Sequence, residues 1–379
     1  MKQGKERVAA KRHPWIFAGA IHSERGPEDA ALADLVDGEG RRVASGFYSN
    51  SSQIRLRALT FGEEELTAEL IESRIAGAIA RRRAIFEDGS TNCARLVHAE
   101  GDDLSSLVVD RYDDVLVIEI ANRGVEQIRP LLVDVLRREL QPRAIHFRND
   151  LPLRKTEGLA TGSAWEGEPS SPVVLESGLR FRVQPEGGQK TGFFLDQREN
   201  RRIARTLARG QRVLNLFSYT GAFGVYAAAG GAASVTNVDI SAPAIEVARE
   251  NHALNGLEAE FTVADAFSYV RQSRETYDFV ICDPPAFAKS RAEVDRAARG
   301  YKDVNLFAMK MIASGGRMMT FSCSGHLPLD LFQKIIFAAA LDAGRRVSFI
   351  RRLTAGPDHP VSIYCPEGEY LKGFLLEVR

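Results

Sequence analysis

From Gln189 onward the chain alternates short apolar runs with helical stretches, and this alternation restricts what it can fold into. RVLNLF is followed by a helix through VYAAAG, then SVTNVDI, a helix from Ala242 to Asn255, AEFTVAD and DFVICD. Strands separated by single helices cannot pair as hairpins; each must cross over and lie parallel to its neighbour, with helices covering both faces of the sheet. The C-terminal half is therefore read as a doubly wound α/β domain.

The first seventy residues read differently. WIFAGAI, LADLV, VASGFY and QIRLRALTF are short runs rich in aromatic and β-branched residues, and DGEGRR between the second and third is a hairpin turn signal. From Glu63 to about Phe86, Leu66, Leu70, Ile71, Ile75, Ile79 and Ile85 recur at helical spacing. Two strands in LSSLVVDRYDDVLVIEIA, a helix over Ile128–Leu140 and a hairpin around Ser177 and Gly178 follow. A 379-residue chain with 44% hydrophobic content is too long for one ordinary core. The expected division is a β-rich module over 1–70, a central α+β domain over 71–187 and the doubly wound domain over 188–379.

Charge and cysteine usage exclude several classes. Fifty basic residues balance fifty acidic ones, so any nucleic-acid footprint has to be local. Two clusters qualify: Lys2, Lys5, Arg7, Lys11 and Arg12, and the run Arg198, Arg201, Arg202, Arg205, Arg209 and Arg212, read as a basic helix. No run approaches the roughly 20 apolar residues of a membrane span, and the N-terminus lacks an apolar signal core, so a cytoplasmic protein is expected. The four cysteines form no CxxC pair, which argues against a metal knuckle or a disulfide framework.

The ends of successive strands carry the chemistry. VLNLFSYTGAFG sets a strand directly before a small-residue turn and a helix, the place where an open α/β sheet binds nucleotides. Gly221 and Gly224 would let the backbone approach a ligand closely, although Tyr219 stands where the first glycine of GxGxxG belongs. Asp239 ends the next strand eighteen residues beyond Gly221, close to the spacing at which a carboxylate meets a ribose diol. Ser241 is suited to cap the following helix. Asp265 ends a third strand at a position suited to an adenine amino group, and a fourth ends in Asp283-Pro284-Pro285, where two prolines fix the exit from the sheet.

Together with KRHPWIFAGAI, GQKTGFFLDQRENR, NHALNGL, DPPAFAKS and FSCSG, these stretches resemble, from end to end and in order, the bacterial 23S ribosomal RNA cytosine-C5 methyltransferases with an N-terminal PUA domain. The resemblance implies a PUA module that grips RNA, a central α+β domain and a Rossmann-like class I methyltransferase domain using S-adenosyl-L-methionine. It implies that Phe217, Ser218, Tyr219, Thr220 and Gly221 hold the methionine end of the cofactor, Asp239 the ribose and Asp265 the adenine. Gln197, Ile240, Ser241, Ala266 and Asp283 are expected around the same ligand. It further implies 23S ribosomal RNA as partner, met by Lys11, Arg12, Arg198, Arg202, Pro284, Pro285 and Phe287, and a homodimer. No metal is expected.

Cys323, in FSCSG after the strand GRMMTF, matches the position at which cytosine-C5 enzymes carry their nucleophile. C5 of cytosine is a poor nucleophile until a thiolate adds to C6, and Asp283 is suited to stabilise N3 as charge develops. Cys282 should point to the opposite face and serve packing, and Phe287 or Tyr301 is expected to stack on the target base. A second cysteine that such enzymes use for product release is replaced by Ala286, so the base that removes the C5 proton is not named. Two readings remain beside this one: a guanine-N7 methyltransferase of the same fold, which needs no thiol, and an RNA-binding protein with a vestigial cofactor site.

Overall fold

The computed structural model describes residues 1–2, 9–27 and 30–379, so Lys5 and Arg7 of the N-terminal basic cluster lie outside the described residues. The chain divides into two compact units, the first built from 1–175, 183–195 and 357–368, the second from 176–182, 196–356 and 369–379. Among the described residues no helix is long and apolar enough to cross a membrane.

In the first unit, strands β1 (Trp15–Phe17), β2 (Leu32–Val36), β3 (Arg42–Tyr48) and β4 (Ile54–Phe61) form an antiparallel sheet of order β1-β4-β3-β2. Asp37 closes the expected β2–β3 hairpin by accepting from the amides of Glu39 and Arg41. A second sheet follows the order β5 (Cys93–His98), β6 (Leu107–Tyr112), β7 (Val115–Ile120), β8 (Ala144–Asn149) and β9 (Gly162–Glu166). Helix Ala68–Arg81, capped by Thr67, buries Ile71, Ile75 and Ile79 in one core with Phe47 and Leu59 of the first sheet and Leu96 and Leu116 of the second. Arg57 and Glu157 pair at 3.1 Å inside this unit, both almost fully buried. The division between units falls within the expected hairpin, β10 (Val173–Glu176) and β11 (Leu179–Arg182).

The second unit holds a seven-stranded sheet. Its members are β12 (Arg212–Leu216), β13 (Ser234–Asp239), β14 (Glu260–Val263), β15 (Tyr277–Cys282), β16 (Ile312–Ser322), β17 (Val347–Leu353) and β18 (Lys372–Val378), ordered β14-β13-β12-β15-β16-β18-β17. The strands from β14 to β16 are parallel, as alternation with helices requires, and β18 then pairs antiparallel with both β16 and β17. The strands sort their side chains by parity. Leu214, Val280, Cys282 and Met318 face a core built with helices Val294–Lys310 and Leu329–Ala343; Val213, Phe279, Ile281, Met319 and Phe321 face one built with helices Arg198–Leu207 and Ala222–Ala229. Strand order reverses at β12, where β13 and β15 flank it, and this switch point sets the site.

Candidate active site at the C-terminal edge of the seven-stranded sheet

Beyond Leu216 the chain turns into helix Ala222–Ala229, with Gly221 as its N-cap residue. Phe217 (φ 56°) and Tyr219 (φ 48°) stand in the left-handed region. Tyr219 thus adopts, at the first position of the glycine pattern, a conformation open to glycine but costing other residues about 1–2 kcal/mol. The loop is held by its surroundings: Ser218 N donates to Val238 O (3.0 Å), Tyr219 N to Asp239 Oδ2 (2.8 Å), and Asn251 Nδ2 to Thr220 O (2.8 Å).

The glycines have a packing role beside the one expected of them. A Cβ on Gly224 would lie 2.2 Å from Asn237 Oδ1, and one on Gly221 would lie 2.8 Å from Ala248 Cβ. The crowding comes from packing of the helix against β13 and against helix Ala242–Leu254, so protein packing already requires small residues there.

Asp239 is fixed at both oxygens, Oδ2 by Tyr219 N and Oδ1 by Ser241 N at 2.9 Å. Ser241 caps helix Ala242–Leu254 through Ala244 N. Ile240 beside it is 71% exposed, a bare aliphatic surface at the strand end. Asp265 Oδ2 accepts from Ser268 N and Oγ, both at 2.9 Å, and so caps the helix that begins at the buried Ala266.

Around Asp283, the loop after β15 is joined to the loop after β16. Cys323 Sγ, half-buried, lies 3.8 Å from Pro284 O, and Ser324 Oγ accepts from Ala288 N at 3.2 Å. Pro284 is buried and Pro285 exposed. Cys282 is fully buried in the core, as its parity requires; burial, with the Asp283 charge beside it, pushes its thiol well up. Phe287 is half-buried among Phe217, Phe267 and Tyr301.

Several expectations need correction. Tyr301 is fully buried, its ring against Phe287 and Phe332 and its hydroxyl 3.0 Å from Ser324 Oγ, so it is core and does not face a base; burial pushes the phenol up to about 12. Gln197 is 2% exposed and donates to Asp283 Oδ2 (3.0 Å) while accepting from Asn200 (2.6 Å), which makes it a holder of Asp283. The basic run is not one phosphate-facing helix. The helix ends at Leu207, Arg198 is 3% exposed, and Arg201 is buried in a bidentate pair with Glu176 at 2.7 Å. Arg202 stays exposed beside Glu199. In the first unit Lys11 and Arg12 are exposed.

Sequence reasoning passed over Lys372. In KGFLLEV the residues Phe374, Leu376 and Val378 face the core, and the same parity turns Lys372 inward. It is 3% exposed and donates to Ser324 O at 3.0 Å. The alternation was visible in the sequence, but nothing in it tied β18 to the strand of Cys323.

His13, Cys365 and Glu367 of the first unit have ligand atoms within 4.8 Å of one another. His13 Nδ1 accepts from Trp15 N (3.0 Å), so the neutral ring carries its proton on Nε2, pointed at Glu367 over 3.2 Å. That tautomer leaves no lone pair on Nε2 for an ion, and the cluster is a hydrogen-bonded one.

A parallel sheet with a strand–turn–helix at its switch point and carboxylates at adjacent strand ends defines a nucleoside-cofactor domain. The family model for S-adenosylmethionine-dependent methyltransferases matches residues 101–364, and that for PUA-like domains matches residues 1–61. "Ribosomal RNA large subunit methyltransferase I" of Shewanella amazonensis is 43% identical, over 100% of this chain and 98% of that protein; its counterpart in Tolumonas auensis is 42% identical over 99% and 98%. The crystal structure of SMU.776 complexed with SAH covers 98% of this chain and 97% of its own, with a TM-score of 0.85 at 22% identity, a likeness of fold. The chain belongs to the S-adenosylmethionine-dependent methyltransferases, in the family of the ribosomal RNA large subunit methyltransferase I proteins.

Its cofactor is S-adenosylmethionine, and the residues present fit that group. Ser218 Oγ and Thr220 Oγ1, both buried in the loop after β12, have no hydrogen-bond partner among the described residues. A buried hydroxyl left unpaired costs about 1–3 kcal/mol, and a polar ligand against this loop removes that cost.

Proposed function

We propose that this protein methylates ribosomal RNA of the large subunit at C5 of a cytosine, with Cys323 as the nucleophile. The relatives' names support the substrate class, and the observation that carries the choice of atom is a half-buried thiol whose loop is joined to the Asp283 loop. Bound S-adenosylmethionine supplies an electrophilic methyl group. Asp239 would bind its ribose, Asp265 its adenine through Oδ1, and residues 217–221 its methionine end, flanked by Ile240, Ser241 and Ala266.

On the substrate side, Asp283, held by Gln197, would accept a hydrogen bond from the base and stabilise its developing charge. The Cys323 thiolate forms a bond to C6, which makes C5 nucleophilic; loss of the C5 proton later lets the C6–S bond break and restores the base. Such a base must leave its stack, and Phe287 and Pro285 would line its pocket. Lys11, Arg12 and Arg202 are the proposed phosphate contacts.

We also retain as proposals the division 1–70, 71–187 and 188–379, a homodimer and a cytoplasmic location; limited proteolysis and sedimentation test the first two. The function is tested by nucleoside analysis of ribosomal RNA after incubation with the full chain and S-adenosylmethionine. 5-Methylcytidine from the wild type and none from Cys323→Ala is the expected result. 7-Methylguanosine formed by both would instead identify a guanine-N7 enzyme.

A further inference from the structure

Lys372 is a buried cation at an inward-facing strand position, and among the described residues no carboxylate pairs with it within 4 Å. It lies opposite Ser322 in the β16–β18 register, one residue before Cys323. Its Nζ donates to Ser324 O, the carbonyl one residue beyond Cys323. The ammonium is thus hydrogen-bonded to the backbone that carries the thiol, just beyond the end of the neighbouring strand. Burying an ammonium without an anion is costly, and the usual relief is an anion close by or loss of the proton. The charged groups that act on it are Glu369 ahead of β18 and Cys323 just beyond β16; Tyr301 is reached through Ser324 Oγ, and Asp283 stands on the loop that is joined to the loop of Cys323 and Ser324. Burial depresses the lysine, and Glu369 and then Cys323 act against that depression.

We propose that Lys372 is a positioning residue for methyl transfer: its ammonium stabilises the thiolate of Cys323 and so sets the fraction of the nucleophile that is ready to add to C6. The charge balances, because the thiol proton leaves to solvent as the thiolate forms beside a cation that is already there. When the C6–S bond breaks, the thiolate returns to the same neighbour. A cation at this position also offsets the negative charge of Asp283, on the loop joined to that of Cys323, which would otherwise favour the proton on sulfur.

This rests on Cys323 acting as the nucleophile, and its test does not need turnover. In the full chain, the rate of alkylation of Cys323 by iodoacetamide is followed against pH by mass spectrometry of the peptide that carries it. Lys372→Met should move the midpoint of that profile upward by about one pH unit or more, and Lys372→Arg, which keeps the charge, should restore it. Identical midpoints for the wild type and Lys372→Met would overturn the proposal. If Lys372→Met proves unfolded by circular dichroism, the wild-type midpoint decides: a value below about 8.5, that of an ordinary thiol, supports the proposal and one at or above it overturns it. A methylated guanine in the nucleoside analysis would remove the nucleophile role of Cys323 while leaving the alkylation profile as measured, so the two failures are distinguishable.

Discussion

Gln197 Nε2 donates to Asp283 Oδ2 over 3.0 Å, and Asn200 Nδ2 fixes the other end of the same amide at 2.6 Å. The carboxylate proposed to meet the flipped base is thereby held from behind by a buried side chain. Gln197→Ala should lower kcat about 10- to 100-fold, the worth of one hydrogen bond to a charged group. The dissociation constant for S-adenosylmethionine should stay nearly constant. Steady-state kinetics and calorimetry read the two quantities separately, and a loss of cofactor affinity with unchanged kcat would assign Gln197 to the cofactor.

Asp239 faces a different demand, since its two oxygens already organise the Tyr219 and Ser241 amides. Asp239→Ala removes both the proposed ribose contact and the anchor of a left-handed Tyr219. Affinity for S-adenosylmethionine should fall at least about 10- to 100-fold. Calorimetry measures it, and wild-type affinity in the variant would exclude the ribose assignment.

Gly224→Ala probes helix packing. Its Cβ would meet Asn237 Oδ1 at 2.2 Å, so the variant should lose about 1–3 kcal/mol of stability in denaturant unfolding. Cofactor affinity should be retained well below the melting temperature. A stable variant that no longer binds would return Gly224 to the ligand.

The parallel core was legible because helices separated β12, β13, β14 and β15, and because Asp239, Asp265 and Asp283 each closed an apolar run. What stayed hidden depended on partners distant in sequence. The helix Arg198–Leu207 read as a basic surface because its arginines are dense, yet Arg201 finds Glu176 twenty-five residues upstream and is buried with it. Tyr301 and Gln197 read as ligand contacts because polar and aromatic residues near a site do so often. Tyr301 packs on Phe332 with its hydroxyl at Ser324, and Gln197 is engaged by Asp283 far downstream, partners that the local pattern does not name. β17 and β18 lacked any crossover helix between them, so alternation said nothing of their antiparallel return.

The arginines yield a paired prediction. Arg201→Ala leaves Glu176 buried without its cation and should cost about 3–5 kcal/mol. Arg202→Ala should leave thermal unfolding unchanged and reduce the slope of log affinity against log salt for RNA by about one. Filter binding across a salt series tests the second effect, and an unchanged slope would remove Arg202 from the RNA contact.

The proposed bond between Cys323 and C6 is tested most directly by trapping it. A large-subunit ribosomal RNA segment carrying 5-fluorocytosine has no C5 proton to lose, so a thiolate adduct formed on it cannot be eliminated after methyl transfer. With wild-type protein and S-adenosylmethionine, a complex stable to denaturing electrophoresis should form, with the RNA joined to the peptide that contains Cys323, and Cys323→Ala should give none. Full methylation of the unsubstituted RNA with no trapped complex would contradict the covalent mechanism.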